Sequence, residues 1–312
     1  MGTEIAGAWS RTGWILKPRG TREVLTVLSA IGGHSVGQRF AWRGLASTQF
    51  DLSSSLHRML GIRVQEGEIR DAERRLIEDA RAWGLGLGTT TYVDDLKLLA
   101  DLQHYGIATR LIDFSRNPLT ALWFACQTPK ASVKEKSGLV LALNVTNFPR
   151  YTTVRTEETW QDLGYGPGAN LERALASGEP FLVDVAHPND RLRAQEGVFV
   201  ASSTPATGGL RRFADKPFGT VNIPYSEGDP AALVGALLEE RKQGAPMRMP
   251  FVAVVVPSGS KSKLLQYLEV SFNRTARTLF PDFAGFREFA AHGGEGGGVE
   301  DVPGHSGGSR LT

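Results

Sequence analysis

The amino-acid sequence predicts an α+β fold, a mixed and largely antiparallel sheet core flanked by amphipathic helices. Three observations carry this expectation. Short β-branched and aromatic runs bounded by turn residues recur along the chain. Longer segments with apolar residues at three- and four-residue steps stand between them. This interspersion argues for α+β or mixed α/β over an all-β architecture. With 312 residues, 41% hydrophobic and 22% charged, the chain has the apolar material of an ordinary globular protein and can bury a sizeable core.

Taken in order, residues 1–35 read as an N-terminal extension packed on the domain. Trp9 and Trp14 stand among Gly, Thr and Arg, ahead of a short helical pattern through Val24, Leu25, Val27, Leu28 and Ile31. A single domain is expected over 36–292, because no linker, low-complexity block or internal repeat divides it. Within it, Ile69, Ala72, Leu76, Ala80 and Trp83 form the apolar stripe of a surface helix. A second helix covers roughly Val93 to Gln103 and breaks at His104-Tyr105-Gly106. A third starts where Ser115 or Asn117 caps and Pro118 occupies the first turn, its missing N–H not needed there. Asp229-Pro230 opens a further helix through Leu238 and Arg241 by the same logic, and another runs from about Lys261 to Phe272. Strands are predicted at 38–43, 109–114, 138–144, 181–186, 197–202 and 251–256. The Gly-rich segment 293–312 cannot bury enough apolar surface to offset its ordering entropy, so a disordered tail is expected.

Composition narrows function. Thirty-five Lys and Arg against 33 Asp and Glu leave a formal charge of +2, so no global field favours nucleic acid or a membrane surface. One cysteine, Cys126, and six scattered histidines offer neither an internal disulfide nor metal-ligand spacing. The apolar runs are strand-sized, and no basic segment followed by an apolar stretch opens the chain, so the sequence reads as cytoplasmic, without membrane or metal. P-loop, nucleophile-elbow and His-Glu-x-x-His motifs are missing, which argues against those three chemistries.

Four stretches carry more polar equipment than packing demands or close the core. Phe40-Ala-Trp-Arg-Gly44 puts Arg43 at a strand end beside a glycine that permits close backbone approach. His104 to Ala125 gathers His104, Tyr105, Arg110, Asp113, Ser115 and Arg116 into one strand–turn–helix unit, whose helix N-terminus is a ready anion site. A structural Arg110–Asp113 ion pair is the plainer reading of the same residues. Asn189 to Val200 is a polar turn with Gln195 and Glu196 at the start of a strand. Thr278 to Phe286 reads as an aromatic closure of the core, with a structural role.

Taken together, Trp42-Arg43-Gly44, Ser54-Ser-Leu-His-Arg58, His104 to Phe114 with its Asn117–Ala125 helix, Gln195-Glu-Gly-Val-Phe199 and Leu279-Phe-Pro-Asp282 resemble the FRG domain family. The family is named for an aromatic-Arg-Gly signature near the domain's start, and the resemblance spans roughly residues 40–290. A more distant similarity is to ADP-ribosyltransferases. These carry an Arg or His on a first strand, a Ser or Thr strand leading into an Ala-x-x-Phe-Ala helix, and a Gln/Glu turn. Arg43, then Phe114-Ser115 before Ala121–Ala125, then Gln195-Glu196 follow that order.

This likeness implies an ADP-ribosyltransferase or NAD glycohydrolase that uses NAD as substrate, with no prosthetic group and no metal. Arg43 would hold the pyrophosphate or the nicotinamide ribose, its guanidinium fork suiting phosphate oxygens. Gly44, His104, Tyr105, Arg110, Ser115 and Asn117 would bind substrate, Tyr105 by stacking on nicotinamide and Ser115 by holding Arg43 or ribose. Glu196 would bind a ribose hydroxyl and stabilise the oxocarbenium-like state. The FRG pattern repeats Gln195 at this turn, however, and adjacent strand residues face opposite ways, so one of the two serves the cleft. The occurrence of the family in bacteria, phages and mobile elements implies a toxin or phage-defence effector acting on a protein or nucleic acid. Two alternatives stand beside this. One is a non-catalytic nucleotide- or partner-sensing module that uses Arg43, Arg110 and the helix N-terminus. The other is a metal-independent nuclease built on His104, Arg43 and Arg110, against which the near-neutral charge counts.

Overall fold

The most continuous apolar runs, Gly138–Asn144 and Phe251–Val256, lie side by side in a sheet, with nearly every residue withdrawn from solvent. The computed structural model describes residues 7–34, 37–61, 64–88, 92–128, 136–153, 168–186, 188–204, 217–239, 247–283 and 285–287. Its strands are β1 (Ile15–Leu16), β2 (Phe40–Leu45), β3 (Ile112–Ser115), β4 (Gly138–Asn144), β5 (Arg150–Thr153), β6 (Phe181–Val185), β7 (Gly197–Ala201) and β8 (Phe251–Val256). They form one eight-stranded sheet in the order β1-β8-β4-β2-β3-β7-β6-β5. The end pairs β1–β8 and β5–β6 are parallel, and all the others are antiparallel. The fold is therefore α+β with a mixed, largely antiparallel sheet.

The sheet is two blocks joined at a narrow waist. β8, β4 and β2 pair along their lengths, as do β3 and β7. Between the blocks, β2 and β3 share the single register pair Trp42↔Ser115. Beyond it the strands diverge, and the site described below lies in that opening.

The helices are α1 (Gly7–Ser10), α2 (Thr21–Gly33), α3 (Ser55–Leu60), α4 (Glu66–Ala82), α5 (Asp95–His104), α6 (Pro118–Cys126), α7 (Ala169–Ala176), α8 (Asp190–Ala194), α9 (Pro230–Leu238), α10 (Lys261–Phe272) and α11 (Ala276–Leu279). α6 starts as its punctuation dictates: the Asn117 side chain accepts from Leu119 N at 2.9 Å, with Pro118 in the first turn. It then lies directly on β2 and β4. A Cβ on Gly44 would meet the Ala121 carbonyl oxygen at 1.9 Å, and one on Gly138 the Ala125 oxygen at 2.1 Å. The glycine of the Trp-Arg-Gly stretch thus serves helix–sheet contact.

The N-terminal segment is woven into the core. β1 adds a parallel strand beside β8, and Trp9, 1% exposed, packs edge-on against Phe218 and Phe251. On α4 the buried face is Ile69, Glu73, Ile77 and Ala80, whereas Trp83 follows the last turn and is 86% exposed. The predicted stripe is corrected in this respect: a glutamate takes a core-facing position because it pairs a buried arginine. The aromatic closure is also corrected, since Phe280 meets Trp123 and Phe124 but Phe283 and Phe286 are 94% and 65% exposed. The segment 293–312 and Arg241 lie outside the described residues.

Candidate functional site

A cavity of about 260 Å³ opens where β2 and β3 part. One wall comes from Arg43 and Gly44 of β2, Asp113 and Ser115 of β3, Thr120 of α6 and His104 at the end of α5. The facing wall comes from Asn189, Arg191 and Leu192 around α8, Gln195 just after it, Phe199 of β7 and Phe280 beyond α11.

Arg43 spans the opening. One of its terminal nitrogens donates to the main-chain carbonyl of Asp113, tying β2 to β3 where ladder pairing has stopped. The same nitrogen lies 4.0 Å from the Asp113 carboxylate, and Arg43 Nε is buried without a hydrogen-bond partner among the described residues. Burial pulls the guanidinium below its ordinary pKa; Asp113 opposes this, and the like charge of Arg58 adds to it. The arrangement leaves a cation beside the cavity with donor capacity to spare. Thr120, fully buried, adds to the same wall a hydroxyl without a partner among the described residues.

The turn at Gln195-Glu196 resolves into two different environments. Gln195 ends α8, and Glu196 takes a left-handed backbone conformation with φ 51° before β7 starts at Gly197. Gln195 lines the cavity: its Nε2 donates to Leu279 O at 3.0 Å, while its main-chain carbonyl accepts from Ser115 Oγ at 2.7 Å. Glu196 does not line it; its carboxylate accepts from Asn117 Nδ2 and Arg274 Nη2, each at 2.8 Å. Strand alternation does not govern this pair, because neither residue is in the strand. Among the lining residues the carboxylate is Asp113, which also accepts from Gln103 Nε2 at 3.0 Å.

His104 forms a third feature. Its Nε2 stands 3.8 Å from Asp282 Oδ2, and Asp282 is gripped by Arg191, with Nε to Oδ2 and Nη2 to Oδ1 both at 2.9 Å. Burial pushes the Asp282 carboxyl up, but the Arg191 bond and the Gly285 amide outweigh it and hold the group below the usual carboxylate range. Burial lowers the His104 pKa, and Arg191 lowers it further against Asp282 and Asp101.

The remaining sequence candidates lie elsewhere. Arg110 is 2% exposed and locked into Glu73 at 2.6 Å and Glu66 at 2.9 Å, so its charge is spent inside the fold. It pairs with neither Asp113 nor the cavity. Tyr105 is 80% exposed, its ring edge-on to His104 and outside the lining. Asn117 caps α6 and holds Glu196. Sequence reasoning did not single out Arg191, Phe280 and Asp282 as site residues; the signal was there in the 189–200 turn and in Leu279-Phe-Pro-Asp282.

Residues 38–134 match the FRG domain family. No curated protein and no solved structure matches the chain. The matched stretch supplies the first cavity wall, from Trp42-Arg43-Gly44 through His104, Asp113 and Ser115 to α6, whereas the facing wall lies after residue 134. Trp42-Arg43-Gly44, within the matched stretch, sits at the waist of the sheet. Among the described residues, no group of three or more His, Cys, Asp or Glu could hold a metal ion, and no helix is long and apolar enough to cross a membrane.

Proposed function

We propose that the FRG-domain cleft binds NAD and cleaves its nicotinamide–ribose bond, passing ADP-ribose to water or to an acceptor. The observation that supports this reading is Arg43: a partly exposed guanidinium beside the cavity, held by a main-chain carbonyl and left with free donor capacity. Its planar guanidinium fork suits phosphate or ribose oxygens. The cavity, about 260 Å³, falls just below the usual range of roughly 300–1,000 Å³ for ligand pockets. It suits the nicotinamide riboside end of NAD, with the pyrophosphate at Arg43 and the adenosine outside. Gln195 offers its carboxamide to the ribose. Asp113, in place of Glu196, supplies the negative charge that favours an oxocarbenium-like state. The family resemblance and the motif order add weight to the same reading, and a toxin or defence role with a protein or nucleic-acid acceptor rests on the resemblance alone.

A specific observation favours a second reading. With Glu196 turned to Asn117 and Arg274, the carboxylate that the transferase analogy relied on is absent from the cavity lining, and the site then suits a nucleotide-sensing module without turnover. One experiment separates the two. Nicotinamide release from NAD is measured alongside calorimetric NAD binding for wild type, Arg43→Ala, Gln195→Ala and Glu196→Ala. Release lost in Arg43→Ala and retained in Glu196→Ala is the expected result; binding without release selects the sensing module, and neither binding nor release rejects both.

A further inference from the structure

We propose that His104 is the proton acceptor of the cleft, with Asp282 and Arg191 as positioning residues; the inference rests on the NAD-cleaving reading above. The His104 ring lines the cavity from the end of α5, its side chain 15% exposed, and its Nε2 lies 3.8 Å from Asp282 Oδ2. That separation is too long for a hydrogen bond and short enough for an ion pair. Asp282 therefore serves the imidazolium once it forms. Asp282 is itself fixed by two Arg191 nitrogens at 2.9 Å and by the Gly285 amide at 2.7 Å, and Arg191 lies over the Phe280 ring, 4.9 Å from its centroid. The ring and Arg191 line the cavity, and Asp282 joins them from behind the lining as one connected assembly.

The other polar groups lining the cavity are poorer proton acceptors. Arg43 and Arg191 are permanent cations, and Gln103, Asn189, Gln195, Ser115 and Thr120 bear neutral groups that do not take a proton near pH 7. Asp113 is occupied by Gln103 and faces Arg43. The groups acting on His104 are Arg191 from the far wall, Asp282 beyond α11 and Asp101 from its own helix. Burial and Arg191 keep the ring neutral at physiological pH, the form a base requires.

The step balances as follows. The bond between ribose C1′ and the nicotinamide nitrogen breaks, and its electron pair leaves with neutral nicotinamide. A lone pair of water or of an acceptor hydroxyl forms the new C1′–O bond. The proton of that oxygen passes to His104, giving an imidazolium opposite Asp282.

The test uses the full chain and follows nicotinamide release from NAD between about pH 5 and 9, spanning histidine titration, with calorimetric NAD affinity measured in parallel. His104→Gln is expected to bind NAD as wild type does and to lose about 100-fold or more of turnover. It should also lose the acidic limb of the pH profile. Asp282→Asn should lower kcat with KM nearly unchanged and move the acidic limb to lower pH, because the counter-ion that raises the His104 pKa is gone. Added imidazole should restore turnover to His104→Ala, which guards against a variant that is merely misfolded. Wild-type rates and an intact acidic limb in His104→Gln overturn the inference alone. A wild type that releases no nicotinamide overturns it together with the NAD-cleaving reading.

Discussion

Arg43 and Arg110 are both drawn away from bulk water, and the regions around them handle the charge in different ways. Around Arg110 the fold provides Glu73 and Glu66, from α4, and the Ser202 carbonyl. The Arg110 side chain is 1% exposed and that of Glu73 2%. Around Arg43 it provides a main-chain carbonyl, a carboxylate 4.0 Å away and a cavity. The first arrangement neutralises a cation inside the fold, and the second keeps one available at its edge. The difference separates an arginine paired inside the fold from one beside the cavity, although both lie in the stretch that matches the FRG domain family.

The sharpest way to break this comparison is to remove each cation. Arg110→Met leaves Glu73 buried and unpaired, so a stability loss of about 3–5 kcal/mol is expected in chemical denaturation. A loss under 1 kcal/mol would place Arg110 outside the structural class. The neighbouring His57 is 4% exposed, bonded to Ser54 Oγ at 2.8 Å and to Thr204 Oγ1 at 2.9 Å. Burial, reinforced by Arg110, lowers its pKa to about 4. The unfolded chain therefore takes up a proton that the folded chain refuses, and stability falls as pH drops from the ordinary histidine value of about 6.5 towards 4, by about 3 kcal/mol. Asp94, raised to about 6 by burial, acts with the opposite sign, so wild type minus His57→Asn is the quantity to follow across this range. A difference that does not change with pH would contradict the assignment.

At Arg43 the expected effect is on binding. Arg43→Ala should weaken NAD affinity at least about tenfold, roughly 1.4 kcal/mol, and cost less stability than Arg110→Met, because no carboxylate is left deeply buried without its partner. Tyr105→Ala should do least: the ring is exposed and outside the lining, so changes within about 0.5 kcal/mol in stability are expected, with NAD affinity unaltered. A loss of affinity there would extend the site beyond the cavity.

Much of the fold could be read from local signals. β4 and β8 are uninterrupted apolar runs, and α6 and α9 are announced by Asn117-Pro118 and Asp229-Pro230. The two-residue β1 and the four-residue β5 escaped because they pair in parallel with distant strands and carry no alternation of their own. Glu73 escaped because its partner lies 37 positions along the chain, and helical spacing alone does not reveal why a carboxylate should face inward. At the cleft, Arg43, Gly44, His104, Ser115 and Gln195 were readable as chemistry-bearing residues. The division between Gln195 and Glu196 was not, because it depends on where α8 stops and on the left-handed backbone at Glu196. Arg191 and Phe280 belong to the facing wall, with Asp282 holding Arg191, and this wall forms only when the C-terminal segment folds back onto α8.

The most direct test of the contrast is a calorimetric titration of NAD into wild type and Arg43→Ala, with both shown to be folded by thermal melting. Saturable binding to wild type that is weakened at least about tenfold in the variant is the predicted result. Equal affinity in the two proteins, or no binding to wild type, would contradict the claim that the arginine at the waist of the sheet is kept available for a nucleotide.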